Sequence, residues 1–482
     1  MNEQVTNNLN NSTMYNDEIG HYLNLSRENF YSINRLPAVL REHLEATPEL
    51  MKDVVFFSCM APLSMYNMRI RIPYLFDREM MGCQVQIFVI ANQASGKNNI
   101  DFIQSDIMSL MRNFNNSELA LEREYERKKS RSKSKNIGEP PITTVFMLPA
   151  STSKVQVCRR ALSVEERYGE PGGVFFYTFS PELGTAVEST KTGFNDLRVL
   201  NRVSYDLSGT YGQDHGSELS IHGTVNINQS LLYLGTPGVM ANYFNINSIE
   251  NGNLSRAIIV PFKQSIGASA PIFKPIPESD KIFGHKVLQI LFDEIFDCSD
   301  SKCLMPEKVV DISFLNGEVE RFQNEMANLA VETQSEAVDT YRKRSSVSAY
   351  RIAAICYNMY TIENKLLDET EQLPMYQIED NVKKIFRFAA YYILHSTLSV
   401  FGDTIETLNM QQKNMFKIIR KTGLYESLPE VFSREDIKVC SEKLFLKSPA
   451  RSIISKWLNC NRIIALSDGR YQKAYGCQNP TK

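Results

Sequence analysis

Ser95, Gly96 and Lys97 stand between an apolar run, residues 85–90 (VQIFVI), and a helical pattern that places Ile103, Ile107, Leu110, Met111 and Phe114 on one face. Strand, loop, Gly-Lys, helix is the order that a phosphate-binding loop needs. Backbone amides at a helix N-terminus and the point charge of a lysine converge there on phosphate oxygens. Against the spacing GxxxxGK[ST], Ala91 stands at the first glycine and Asn98 at the hydroxyl residue that would hold magnesium. The spacing therefore predicts a cradle built from Ser95, Gly96, Lys97 and Asn98, with ATP or ADP as its ligand and magnesium poorly served. The plain alternative is an ordinary loop with an exposed lysine.

A nucleotidase of this kind ends one core strand in an acid that holds metal or activates water. Residues 174–179 (VFFYTF) read as a strand, and its end is Thr178-Phe179-Ser180-Pro181-Glu182. Glu182 is the one carboxylate there, and its plain role is to complement a helix N-terminus after Pro181. Residues 230–234 end in Gly235-Thr236-Pro237, where Thr236 is either a γ-phosphate sensor or part of a turn. Arg256 precedes AIIVPF and is a candidate charge-stabilising finger toward a neighbouring copy, with a surface arginine as its plain reading. No residue set reads as metal-ligating. The nine cysteines are scattered without a CxxC pair, which excludes a zinc ribbon and argues for a reducing compartment.

Four stretches occur in a specific order: LPAVLREHLE…KDVVFFS (36–58), SGK (95–97), LGTP (234–237) and ENGNLSRAIIVPF (250–262). Together, over about residues 36–400, they resemble a helicase/primase-like P-loop family found in Bacteroides-type mobile elements and prophages. The resemblance implies a RecA/AAA-like core and a role in replicating or mobilising element DNA. It maps Gly96 and Lys97 onto the phosphate loop, Thr236 onto a sensor-like turn and Arg256 onto the family's SRF-type arginine. Where that family carries acids after the third strand, this chain has Thr178 and Ser180. Glu182 is the only match, which points to degenerate ATPase motifs.

The elements that must position these residues follow from periodicity. Residues 85–90, 144–148, 174–179, 230–234 and 257–261 are short apolar runs with longer segments between them, the pattern of a mainly parallel sheet covered by helices. The expected division is a tail at 1–16, an α/β P-loop-like core at 17–280, a helical domain at 281–410 and a C-terminal domain at 411–482. A charge block at 122–135 (EREYERKKSRSKSK) reads as a solvated insertion, with a nucleic-acid arm as the sharper alternative.

The last 72 residues hold 14 Lys/Arg against 6 Asp/Glu, on a chain whose net charge is −2, so a basic end follows an acidic body. Ser433 to Asp436 is a capping-box pattern, Ser448-Pro449 is a second helix start, and Ser467-Asp468-Gly469-Arg470 is a hairpin turn. Helix, turn, helix, hairpin is the winged-helix order. Arg451 and Lys456 fall on the outward helix face and Arg470 and Lys473 on the wing, which makes DNA the expected partner. A homo-oligomer and other replication or mobilisation proteins are further expected partners. No apolar run approaches the ~18–20 residues of a membrane helix, and the polar start lacks a secretory pattern, so the expectation is a cytoplasmic protein without membrane contact. Three functions stay open: a DNA-associated nucleotide-binding protein with degenerate motifs, an active oligomeric DNA-dependent ATPase or helicase, and a non-enzymatic DNA-binding adaptor.

Overall fold

The computed structural model describes residues 2–131, 138–169, 174–184, 187, 196–207, 209–213, 223–296, 304–443, 450–459 and 462–474. The chain divides into two compact units, Met1–Ile405 and Glu406–Lys482.

The first unit opens with helices α1 (Asn2–Tyr31), α2 (Ala38–Glu45) and α3 (Lys52–Tyr66). Tyr15, Ile19, Leu23, Ser26 and Phe30 recur every three or four residues and are buried. That stripe makes the chain before Asp17 the start of a helix, where its Asn-rich composition suggests a tail. Every residue of α3 from Val54 to Tyr66 is buried, the signature of a helix enclosed on all sides. Aromatic rings fasten it to its neighbours. Phe30 stacks on Phe388 and Phe57 on Tyr392, both at 4.4 Å between centroids, and such pairs add about 0.5–1.5 kcal/mol each beyond their buried area.

The sheet consists of β1 (Gln86–Ala91), β2 (Val174–Ser180), β3 (Thr210–Gln213), β4 (Gly223–Gly235) and β5 (Ala257–Phe262). Its order is β2-β4-β1-β5, with all three of these pairings parallel, while β3 runs antiparallel to the first part of β4. Met147 bridges in parallel to Tyr177, which adds residues around 147 outside β2. From β1 the chain therefore goes to the far edge, returns through β2 and β4, and crosses β1 to finish at β5. All six residues of β1 are buried, as a central parallel strand covered on both faces requires. The apolar runs read as strands all belong to this sheet.

Further helices include α4 (Asn98–Ile107), α5 (Ser109–Arg131), α6 (Lys154–Tyr168), α7 (Pro237–Tyr243), α8 (Glu278–Asp293), α9 (Asn316–Thr333), α10 (Glu336–Leu366) and α11 (Met375–Ser427), with shorter ones at Leu197–Val203 and Ile246–Glu250. The charge block is helical through Arg131, and residues 132–137 lie outside those described. Its start is held down by ion pairs that composition hides: Glu122 chelates Arg160 of α6, and Glu118 pairs with Arg167. Helix α10 packs within the same unit as the sheet. Its Arg351 is fully buried and donates from Nη1 to the carbonyls of Gln84 (2.8 Å) and Tyr205 (3.0 Å), its guanidinium 4.1 Å from the Tyr205 ring centroid.

The second unit carries β6 (Val431–Phe432), α12 (Arg434–Lys443), α13 (Ala450–Asn459), β7 (Ile463–Ala465) and β8 (Tyr471–Lys473). The three short strands form an antiparallel sheet in the order β6-β8-β7. Leu428, Phe432, Ile437, Ile453, Ile454, Trp457 and Ile463 form its own core. The capping box closes as its sequence predicts, with the Asp436 amide donating to Ser433 Oγ (3.2 Å) and the Ser433 amide to Asp436 Oδ2 (2.7 Å). Ser448 and Pro449 lie outside the described residues. Among the described residues, no helix is long and apolar enough to cross a membrane.

Candidate functional site

The loop from Asn92 to Lys97 leaves the carboxyl end of β1 and enters α4 directly. Its backbone turns through two left-handed residues, Ala94 (φ 57°) and Gly96 (φ 81°). Gly96 is required on two counts: its positive φ, and a Cβ there would lie 2.7 Å from Cγ of Pro271. Pro271 belongs to the segment after β5, so that segment lies against the loop. The carbonyl of Gly96 accepts from the Asn99 backbone (3.1 Å) and from its side-chain amide (3.0 Å), which fixes the first turn of α4.

Between the two left-handed residues, Ser95 is 3% exposed and its Oγ has no hydrogen-bond partner. Lys97 is half-buried, and its ammonium has no partner among the described residues. Asn98 is exposed on the first turn. A buried orphan hydroxyl, an unpaired cation and the free amides of a helix start thus share one short loop.

Register fixes what stands beside it. Ile90 pairs with Gly235, Ala91 with Phe262, and Ser180 with Tyr233, so the carboxyl ends of β1, β2, β4 and β5 form one edge. Thr236 follows Gly235 on that edge and caps α7 without using its hydroxyl for the cap. Glu182 follows Ser180 there and is exposed. The two positions where an acid would be expected are engaged in structure: Thr178 Oγ1 accepts from Gln229 Nε2 (2.8 Å), and Ser180 Oγ donates to the Glu182 carbonyl (2.7 Å).

Arg256 stands elsewhere. It precedes β5, and Ala257 pairs with Gln86, so it lies at the amino edge of the parallel sheet. There Nη1 donates to the Gly252 carbonyl (3.0 Å), Nη2 to Asp206 (3.2 Å), and the guanidinium lies over the Tyr205 ring. Strand direction brings Ser95, Gly96, Lys97, Asn98, Thr236 and Glu182 to one edge and leaves Arg256 at the other.

Sequence inspection missed Asp106 at the far end of α4, which faces Glu42 and His43 of α2. Glu42 and Asp106 are 64 positions apart, and no local spacing joins them.

In the second unit Arg451 and Lys456 are exposed on α13, whose Ile453, Ile454 and Trp457 turn inward. Arg470 is exposed at the hairpin turn and bonded to Asp468 (2.6 Å), whose carboxyl it holds below the ordinary aspartate pKa. Lys473 is tied inward: Nζ donates to the Leu428 carbonyl (2.6 Å) and sits 5.2 Å from the Tyr425 ring centroid. No protein-family model matches the chain, and no curated protein matches it.

Proposed function

We propose that the chain binds ATP or ADP at the loop leaving β1 and acts on DNA through its C-terminal unit. In this reading it is a replication or mobilisation protein of a mobile element, helicase-like in ancestry, with degenerate ATPase motifs. One observation carries the nucleotide half. In open parallel sheets, ligands sit outside the carboxyl ends of the strands where the strand order reverses. Here the reversal falls at β1, and the loop found there offers helix amides, Lys97 and the unpartnered Ser95 hydroxyl.

A P-loop core of RecA/AAA-like type accounts for this arrangement. With the segment around Met147 counted, the five parallel strands in chain order stand 5-1-4-3-2 across the sheet, and the phosphate loop follows the first. A winged helix accounts equally for the second unit, in which two helices precede a hairpin and a short strand pairs back onto it.

Slow or absent hydrolysis follows from Thr178 and Ser180. Neither can accept a proton from water at neutral pH, and both are already hydrogen-bonded. The same observation favours a DNA-binding adaptor as the second reading. ATP turnover, measured alone and with single-stranded and duplex DNA, separates the readings. Nucleotide binding with turnover far below ~1 s⁻¹ fits the proposal. DNA-stimulated turnover points to an active helicase, and DNA binding without nucleotide binding leaves the adaptor.

A further inference from the structure

Beside α4, a cavity of about 540 Å³ is lined by His43, Asn99, Phe102, Asp106, Phe273 and Lys281. Ligating atoms of its lining residues His43 and Asp106 and of the neighbouring Glu42 lie within 4.8 Å of one another. We propose that these three side chains, with His285 beside them, hold one divalent first-row transition ion of the Zn2+ class.

Distance decides between a metal site and a hydrogen-bond cluster. His43 Nε2 is 3.8 Å from Glu42 Oε1 and 3.8 Å from Asp106 Oδ2, and His285 Nε2 is 3.5 Å from Asp106 Oδ1. These separations are too long for hydrogen bonds, which fall at 2.7–3.2 Å for N–H···O. A tetrahedral ion with bonds of about 2.0–2.1 Å spaces its ligand atoms roughly 3.3–3.4 Å apart. Binding an ion would draw the quoted pairs together by a few tenths of an ångström and the rest of the Glu42, His43 and Asp106 set, which lies within 4.8 Å, by up to somewhat more than ~1 Å.

The atoms are also unsatisfied. Glu42 Oε2, His43 Nε2 and His285 Nε2 are buried and have no hydrogen-bond partner. The side chains of Glu42 and His43 are 2% and 1% exposed, and unpaired polar atoms at such depth are disfavoured unless something satisfies them. The neighbour at Gly284 fits the same purpose. A Cβ there would lie 2.6 Å from both Glu42 carboxylate oxygens, so the glycine of α8 makes room for that carboxylate.

Two histidines and two carboxylates are a borderline donor set that suits zinc better than calcium or magnesium. The competing charge is Lys281, whose Nζ lies 3.8 Å from Asp106 Oδ1. Bound metal would take over its role and join α2, α4 and α8.

The test is titration of the tag-free, chelator-treated full chain with Co2+, followed by visible absorption, and with Zn2+ by calorimetry. One ion per chain is expected, with ligand-field bands and without the near-ultraviolet band of cobalt thiolate, which separates this site from the cysteines. Asp106→Asn and His43→Gln should each weaken binding by tenfold or more, while Lys281→Met leaves it equal or tighter. Asp106→Asn is isosteric and decides the question alone if His43→Gln does not fold. Absence of stoichiometric binding, a thiolate band, or unchanged affinity in Asp106→Asn overturns the assignment.

Discussion

Gly96 carries two constraints at once. Its left-handed φ costs any L-residue about 1–2 kcal/mol, and Pro271 closes the space a side chain would need. Gly96→Ala should therefore destabilise the protein by at least the backbone share, read from the midpoint of urea unfolding. Pro271→Ala in the same chain should recover part of the loss, because the two residues touch and so couple. Equal losses with and without Pro271 would show that only the backbone matters. Gly96 is legible from the sequence because its positive φ and the closeness of Pro271 favour glycine, and Lys97 because it completes a Gly-Lys pair between a strand and a helix. The seat of Pro271 is not, since 175 positions separate it from Gly96.

At the scale of elements, two devices of the C-terminal unit give opposite forecasts for residues that look alike in the sequence. Arg470 and Lys473 both read as wing cations, yet Arg470 is exposed while Lys473 packs on Tyr425 and bonds the Leu428 carbonyl. In fluorescence anisotropy with duplex DNA, Arg470→Glu should weaken binding for every sequence and reduce its salt dependence. Arg451→Ala should instead reduce discrimination between sequences, by roughly 1–3 kcal/mol if it contacts a base edge. Lys473→Glu should lower the unfolding midpoint of the unit first, and lose DNA only through that. A Lys473→Glu protein of wild-type stability would show that its inward contacts are dispensable.

The capping box makes a forecast in pH. The backbone amide and hydroxyl of Ser433 hold the Asp436 carboxyl below its ordinary value of 3.8. A carboxyl lowered in the folded state stabilises it above the unfolded value, and that contribution is lost as pH falls through the folded value. Ser433→Ala should move the Asp436 titration upward in an NMR pH series and start acid unfolding of α12 at higher pH. An unmoved titration would mean that the box contributes nothing in solution. Capping boxes, hairpin turns and continuous apolar strands are legible because each is a local pattern with one physical cause.

At the scale of the molecule, what was not legible depends on direction and depth. Arg256 reads as a finger toward a neighbouring copy, and the parallel register puts it at the amino edge of its own sheet, bonded to Asp206 and away from the loop leaving β1. Arg351 reads as one more helical cation, yet it is buried under Tyr205 and ties α10 to the strand edge at Gln84. Removing it by Arg351→Ala should cost roughly 3 kcal/mol, from an unpaired buried carbonyl and a large lost side chain. Chemical denaturation of the full chain measures this, and a loss under about 1 kcal/mol would show that water replaces the contact.

The central claim is that the loop leaving β1 binds nucleotide phosphates. Isothermal titration of ATP and ADP into the full chain and into Lys97→Ala tests it most directly, because Lys97 is half-buried and unpaired and its loss should leave the fold intact. The account predicts weak but saturable binding to the wild-type chain and none to the variant. Equal affinity in both, or no binding to either, would contradict it.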